Sequence, residues 1–507
     1  MGLKVIKEKK GNAVDAAIVV ALCLGVTRPF ASGIGGGGFI TIFMNETKTV
    51  DFINSRETAP SAASQDMYEN NYDESVFGGK SIAVYGEIRG LHTAHKLYGK
   101  LPWKELFTDV INIARNGWIV EPLLARTDLA NTLEKIASDG PNILYEGPIA
   151  QKIVEEIQQQ GGIITLDDLK NYQPERPFYD ENPIISQKDM TLELNDFKVI
   201  LPPPPSAGPV IKFILSILNN FKIGDNSPMG LNYHYILEAL KFGFGHRSNL
   251  GDVNFLPKEN VTKYIINQLL SDSYASSIAS ERVSPSRTFP WSHYYSDNYA
   301  PVKDKGTSHF SVIDEDGNSV AMTTTVNHNF GSKVASASTG IVFNNQMNDF
   351  TVDLHKPNQF GLPPSAANVI APGKRPLSSM SPAIFLDKSG NRVKYIIGAS
   401  GGPTIISAII EVFYSIEKFK VQPNLAVALP RLHAQPGSDV VKMEEGFNRQ
   451  VITALQEKGH TFEPVQILPD GHTIGCCQVI QVSSTENDQN LFLPGTDPRK
   501  LGSPACF

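Results

Sequence analysis

Gly306-Thr307-Ser308-His309 opens the part of this chain best suited to chemistry. An alternating run, 310–314, follows it, then the turn Glu315-Asp316-Gly317-Asn318, then a second run, 319–326. Asp-Gly between two such runs predicts a β-hairpin. Pairing outward from the turn sets Thr307, at the open end, opposite residues near Thr325, with Thr325 and Asn327 on one face. A hydroxyl at the tip of a sheet, behind a glycine and beside a second hydroxyl and an amide, suits nucleophilic attack. Taken alone, the segment reads more simply as an edge hairpin with surface threonines.

The elements around it must supply a large scaffold. The chain has 507 residues, of which 41% are hydrophobic and 19% charged, the balance of a folded globular protein rather than a disordered one. Length alone suggests two to four domains. The net charge of −7 comes with no basic stripe, which argues against nucleic acid as a partner. Residues 13–25 read as a helix apolar nearly all round, hence buried. Strands are expected at 39–43 and 50–53, helices from 103 to 160 with Gly161-Gly162 closing the last, and a new helix start at Thr165-Leu166-Asp167-Asp168. Four consecutive prolines within 201–208 require an ordered turn or extended loop before a helix over 210–219. A polar, weakly patterned stretch spans 271–305. A strand at 393–397 leads through Gly401-Gly402 to a helix near Pro403. These patterns alone support only an α+β protein.

Other features exclude chemistry. The run Gly33–Gly38 lacks the Lys-Ser/Thr of a phosphate loop and the βαβ setting of a dinucleotide fold, so tight backbone packing is the better reading. Cys23, Cys476, Cys477 and Cys506 are too few for a disulfide scaffold, and none has zinc-ligand spacing. No metal and no cofactor are expected. The longest apolar stretch, 16–26, is too short to span a bilayer.

Several motifs occur in a fixed order: Gly11-Asn12-Ala13-Val14-Asp15-Ala16-Ala17, the glycines of 33–38, Gly306-Thr307-Ser308-His309, Asn344-Asn345-Gln346-Met347-Asn348-Asp349-Phe350, Arg375-Pro376-Leu377-Ser378-Ser379-Met380-Ser381-Pro382, Gly398-Ala399-Ser400-Gly401-Gly402 and Asp497-Pro498-Arg499-Lys500. Each is weak alone; the ordered set, from about Gly2 to Phe507, resembles the γ-glutamyltransferases (γ-glutamyl transpeptidases, glutathione hydrolases), and specifically the animal type. The resemblance implies a four-layer αββα sandwich of the N-terminal-nucleophile hydrolase type. It implies one structural domain cut by self-cleavage into 1–306 and 307–507, which stay together as a heterodimer. Thr307 would be the nucleophile, with Thr325 holding its rotamer. Its freed α-amine, with an ordinary pKa of about 7.7–8.0, would accept the hydroxyl proton. His309 is then structural. Gly401 and Gly402 match the oxyanion position.

The same resemblance implies a reader for a γ-glutamyl group. Arg56, with Ser378 and Ser379, would take the α-carboxylate, and Asp349, Gln346 and Asn327 the α-ammonium. Glutathione and other γ-glutamyl compounds would be donors, with water, amino acids or dipeptides as acceptors. Gln346 is neutral where other members carry Glu. Residues 356–370 lack the tyrosine-bearing lid of many bacterial members. The location would be extracellular, secreted or on the outer membrane face, compatible with the sequons at Asn45 and Asn260. A cysteine at the place of Cys23 pairs, in animal members, with one upstream; that partner would precede Met1. An amidohydrolase of the same fold and a non-catalytic homologue are the other readings, the first disfavoured by Arg56, Asp349 and Ser378-Ser379, the second by the intact Thr307.

Overall fold

The protein is described here by a computed structural model covering residues 1–118, 125–224, 226–294, 306–353, 364–436, 439–465, 474–484, 490–500 and 502–506. In chain order the strands are β1 (Gly37–Met44), β2 (Thr49–Asn54), β3 (Thr191–Glu193), β4 (Phe197–Ile200), β5 (Ser308–Ile313), β6 (Ser319–Thr325), β7 (Ala383–Asp387), β8 (Val393–Ser400), β9 (Leu432–His433), β10 (Val440–Glu444), β11 (Thr461–Val465), β12 (Cys476–Ser484) and β13 (Asn490–Thr496). Two antiparallel sheets dominate, with orders β2-β1-β6-β5 and β13-β12-β8-β7-β4-β3; the short β9, β10 and β11 form a third.

Side-chain alternation stacks these elements into four layers. Along β7, Ile384 and Leu386 meet Phe43, Val50 and Ala321 of the other sheet, while Ala383 and Phe385 turn toward helices Gly208–Leu218, Met229–Arg247 and Thr404–Glu417. On the far side, Ile40, Ile42, Val320 and Met322 pack against helix Ala13–Thr27. That helix starts where Asn12 accepts from Val14 and Asp15 N–H and Asp15 accepts from Asn12 N–H. Helix, sheet, sheet, helix is the expected αββα sandwich. Among the described residues no helix is long and apolar enough to cross a membrane.

The hairpin forms as its turn chemistry predicts. Gly317 takes φ +82°, and Asp314 accepts from Asn318 N–H and Nδ2 at 2.9 Å each. Ser308 pairs with Thr324, so Thr307 lies beside Thr325. The glycine run packs backbone on backbone: a Cβ on Gly36 would stand 2.1 Å from the Thr325 carbonyl oxygen. The four-proline loop is ordered against the 375–382 segment, since Ser378 N–H donates to Pro205 O at 2.8 Å.

Several segments differ from expectation. The polar stretch 271–305 contains a helix, Asp272–Glu281, capped by Ser271 and anchored by Ala275, Ile278 and Ala279; its small alanines dilute the apolar stripe. Residues 295–305 lie outside the described set. Strands β3, β4 and β9 are two to four residues long, below the length at which alternation shows.

Replacing Gly36 with Ala should force β1 away from Thr325 and cost about 1–3 kcal/mol, the usual range for overpacking. Thermal melting should show a lower Tm, while Gly140→Ala, where a Cβ meets no atom within 4 Å but φ is +88°, reports the cost of backbone strain alone.

Candidate active site

Thr307, 6% exposed, sits immediately before β5. Its Oγ lies 2.5 Å from the Gly306 carbonyl oxygen and 3.4 Å from Thr325 Oγ. Thr325 donates to that same carbonyl at 3.0 Å and accepts from Asn327 N–H at 2.8 Å. The Gly306-Thr307 carbonyl is thus polarised by one hydroxyl while a second stands next to it. Gly306 has φ +100°, and a Cβ there would come within 2.3 Å of Asn327 O, so only glycine fits this turn. Asn327 has φ +74° and donates from Nδ2 to Asn345 O at 3.0 Å.

A cleft opens from Thr307 and is lined by Thr325, Asn327, Arg56, Gln346, Asp349, Ser378, Ser379 and Gly402. Gly401 stands just behind, with φ +124° and its carbonyl accepting from Thr404 Oγ at 2.5 Å. The structure therefore brings nine of the ten sequence-read residues to one cleft wall or the hydroxyl itself, with Gly401 adjacent.

The charged groups are arranged differently from two separate poles. Arg56, 1% exposed, is ion-paired through Nη2 with Asp349 Oδ2, and donates from Nε to Pro376 O at 3.2 Å. Gln346 Nε2 also donates to Asp349 Oδ2, at 2.9 Å. Among the described residues, Asp349 Oδ1 and Gln346 Oε1 are buried without a hydrogen-bond partner. Arg375 props the Arg56 loop by donating to the Arg56 carbonyl and to Gln173 O. Ser378 Oγ accepts from Met380 N–H at 3.1 Å.

The Gamma-glutamyltranspeptidase family model matches residues 1–128 and 122–507. The chain belongs to the gamma-glutamyltranspeptidase family. Scoloptoxin SSD14 of Scolopendra dehaani is 37% identical, across 90% of this chain and 83% of its own length. Glutathione hydrolase 3 of Arabidopsis thaliana is 34% identical, across 98% and 84%, and the Escherichia coli glutathione hydrolase proenzyme 32%, across 94% and 87%. Among solved structures, a cephalosporin acylase from Bacillus halodurans matches with TM-score 0.80 over 98% of this chain and 92% of that one; at 22% identity this is likeness of fold. Gamma-glutamyltranspeptidase from Pseudomonas nitroreducens, 30% identical, matches over 58% of this chain and 95% of that one with TM-score 0.50.

Three residues in or near this cleft escape the sequence reading. Arg247, at the end of its helix, lines the cleft and donates to Ser379 Oγ at 3.1 Å; burial pulls its guanidinium down to about 10. Lys500 Nζ donates to the Thr307 carbonyl at 2.5 Å and to Ser400 Oγ at 2.7 Å. Glu87, under the sheet, accepts from Thr324 Oγ, next to Thr325. Only the Asp-Pro-Arg-Lys motif carried a signal for any of them. His309, held by Thr323 Oγ at 2.8 Å and Ser311 Oγ at 3.2 Å, is pushed by burial down to about 3 and is neutral, as a structural residue should be. The lidless segment 356–370 is described only from 364 onward, so its first part lies outside the described residues. All four cysteines are free thiols.

Among the described residues, one group has metal-ligand proximity: His234, Glu238 and His460, in the helical core away from the cleft. Most of its ligand atoms are already engaged, though among the described residues His460 Nδ1 is buried without a hydrogen-bond partner. His234 Nδ1 and His460 Nε2 hydrogen-bond at 2.8 Å, and Glu238 accepts from Thr288 and Tyr294 at 2.6 Å each. Lys241 Nζ lies 3.7 Å from Glu238, and its charge opposes a second cation.

Burial raises the Glu87 carboxyl from its ordinary 4.5 to about 8, with the Thr324 hydrogen bond opposing. The fold thus holds Glu87 protonated where the unfolded chain would ionise it. Its stabilising contribution is complete below pH 4.5 and is lost as pH rises to about 8. In thermal melts, Glu87→Gln should fall less in Tm between pH 4.5 and 8 than the unsubstituted protein. Parallel curves would show that Glu87 ionises freely in the fold.

Proposed function

We propose that this family member is a self-processing γ-glutamyltransferase and glutathione hydrolase, with Thr307 as nucleophile. In the first stage Thr307 Oγ adds to the Gly306 carbonyl carbon, and the Thr325 hydroxyl supports the oxygen that gains charge. The Gly306–Thr307 C–N bond breaks, the nitrogen takes the proton, and an ester joins Gly306 to Thr307 Oγ. Water opens that ester, leaving a carboxylate on Gly306 and a free α-amine on Thr307. The pieces 1–306 and 307–507 remain one heterodimer because both large sheets mix strands from either side of the cut: β1 pairs with β6, and β4 with β7.

In the second stage the α-amine accepts the Thr307 hydroxyl proton as Oγ adds to the γ-carbonyl of the donor. The N–H groups at Gly401-Gly402 receive the oxyanion. The leaving amine takes the proton, and a γ-glutamyl ester remains on Thr307 for water, an amino acid or a dipeptide to release.

The observation that carries the donor reading is the pair of buried acceptors, Asp349 Oδ1 and Gln346 Oε1, on the wall of the Thr307 cleft. Two unpartnered oxygens, one anionic, suit an ammonium group. Arg56 and Asp349 pair with each other, so a zwitterion entering between them exchanges one ion pair for two: carboxylate to Arg56, aided by Ser378 and Ser379, and ammonium to Asp349, aided by Gln346 and Asn327. Glutathione and related γ-glutamyl amides offer that zwitterion. An exported location, secreted or on the outer membrane face, fits the exposed sequon at Asn260.

The test compares a γ-glutamyl anilide with its analogue lacking the α-amino group. Losing one member of a desolvated charged contact typically costs about 2–5 kcal/mol, or roughly 30- to 5000-fold in kcat/KM. The unsubstituted enzyme should prefer the amino donor by a factor in that range, and Asp349→Asn should narrow the preference while self-cleavage continues. Equal rates on both donors in the unsubstituted enzyme would remove Asp349 as an ammonium reader and favour an amidohydrolase of another acyl group.

A further inference from the structure

Lys500 is delivered to the nucleophile by a buried ionic lattice. Asp497 accepts from Arg431 Nη2 at 2.7 Å, from Arg499 Nη1 at 3.0 Å and from Cys477 N–H at 2.9 Å. Arg499 reaches Glu444 at 2.5 Å and donates to Val427 O at 2.8 Å. Arg28 Nη2 holds the Lys500 carbonyl at 3.1 Å. So many fixed contacts leave the Lys500 side chain, bridging Thr307 O and Ser400 Oγ, a defined place against β5 and β8.

The α-nitrogen of Thr307 is three bonds from its own carbonyl oxygen, at about 3 Å. Lys500 Nζ is 2.5 Å from that oxygen, so the two nitrogens are at most about 6 Å apart by standard geometry. After self-cleavage that α-nitrogen becomes a primary amine, and a fixed positive charge this close opposes its protonation. We propose that Lys500 is a positioning residue that fixes the Thr307 carbonyl and, by its charge, keeps the new α-amine in the neutral, proton-accepting form near pH 7. The proposal rests on the reading of Thr307 as an N-terminal nucleophile.

Other charged groups face the same place. Asp349 is tied to Arg56 on the cleft wall, and Arg247 adds a positive charge from its helix. Behind the sheet, burial raises Glu57 to about 7 and Glu87 to about 8, so at neutral pH Glu57 is roughly half ionised and Glu87 mostly protonated. His309 and His328 are each pushed by burial down to about 3 and are neutral, and Cys476, near Lys500, is a thiol raised to about 11. Among the described residues, Lys500 is the cation that hydrogen-bonds Thr307 itself.

Because Glu57 titrates near neutrality, the test reads the amine directly rather than activity alone. Cyanate carbamylates neutral amines, and mass spectrometry of the N-terminal peptide of 307–507 gives its rate at Thr307 as a function of pH. In the unsubstituted enzyme the midpoint should lie below the ordinary α-amine range of about 7.7–8.0. In Lys500→Met it should rise by on the order of one pH unit, and in Lys500→Arg, which keeps the charge, it should stay near the unsubstituted value. The acidic limb of kcat/KM should move with it, whereas a purely structural role would lower activity at all pH values with the limb unmoved. Equal midpoints with and without Lys500 overturn the proposal. If Lys500→Met does not self-cleave, an unsubstituted midpoint at or above the ordinary range overturns it just as well. A smaller piece that does not begin at Thr307 would instead refute the nucleophile assignment beneath it.

Discussion

The register of β5 against β6 is the constraint on which the site depends. Side chains alternate along a strand, so a slip of one residue would turn Thr307 away from Thr325 and send it to the other face. The register is pinned at both ends. At the turn, the Asp314 carboxylate accepts from Asn318 and, at 2.9 Å, from Ala13 N–H at the start of the buried helix, where an anion is favoured. At the open end, β1 lies so close that only glycine at position 36 clears the Thr325 carbonyl. Helix, hairpin and β1 therefore fix one another, and Thr307 inherits its place from all three.

Charge is buried here at a cost that packing alone would not select. Desolvating Arg56 and Asp349 consumes much of what their attraction returns, and an unpartnered carboxylate oxygen adds to the loss. A site complementary to something outside the chain accounts for that arrangement better than stability does. The Asp497, Arg431, Arg499 and Glu444 lattice is the contrasting case. Asp497 satisfies its oxygens with two arginines and a backbone N–H, and against the upward push of burial those cations hold its carboxyl below the usual range. That lattice holds a chain turn in place; the Arg56 pair lines the cleft beside Thr307.

What could be read from the chain was what has local grammar. The 315–318 turn, the buried helix read over 13–25, the glycine run and the strand-to-helix passage through Gly401-Gly402 all announce themselves within a few residues, and the ordered motifs named the cleft residues. What could not be read was polar pairing across long separations. Arg56 and Asp349 are 293 positions apart, and Lys500 and Thr307 193; no periodicity links them. Arg247 belongs to a helix buried nearly throughout, where a terminal arginine reads as a solvated end. Glu87 opens its helix as an ordinary first-turn acid, and only the stacked sheet makes it a buried one.

Every step proposed at this cleft requires that Thr307 itself cut the Gly306–Thr307 bond. Intact mass and N-terminal sequencing of the purified protein, beside its Thr307→Ala variant, test it most directly. Two pieces are expected, the smaller beginning at Thr307, and one uncut chain in the variant. A single intact chain, or a smaller piece beginning at any other residue, would contradict it.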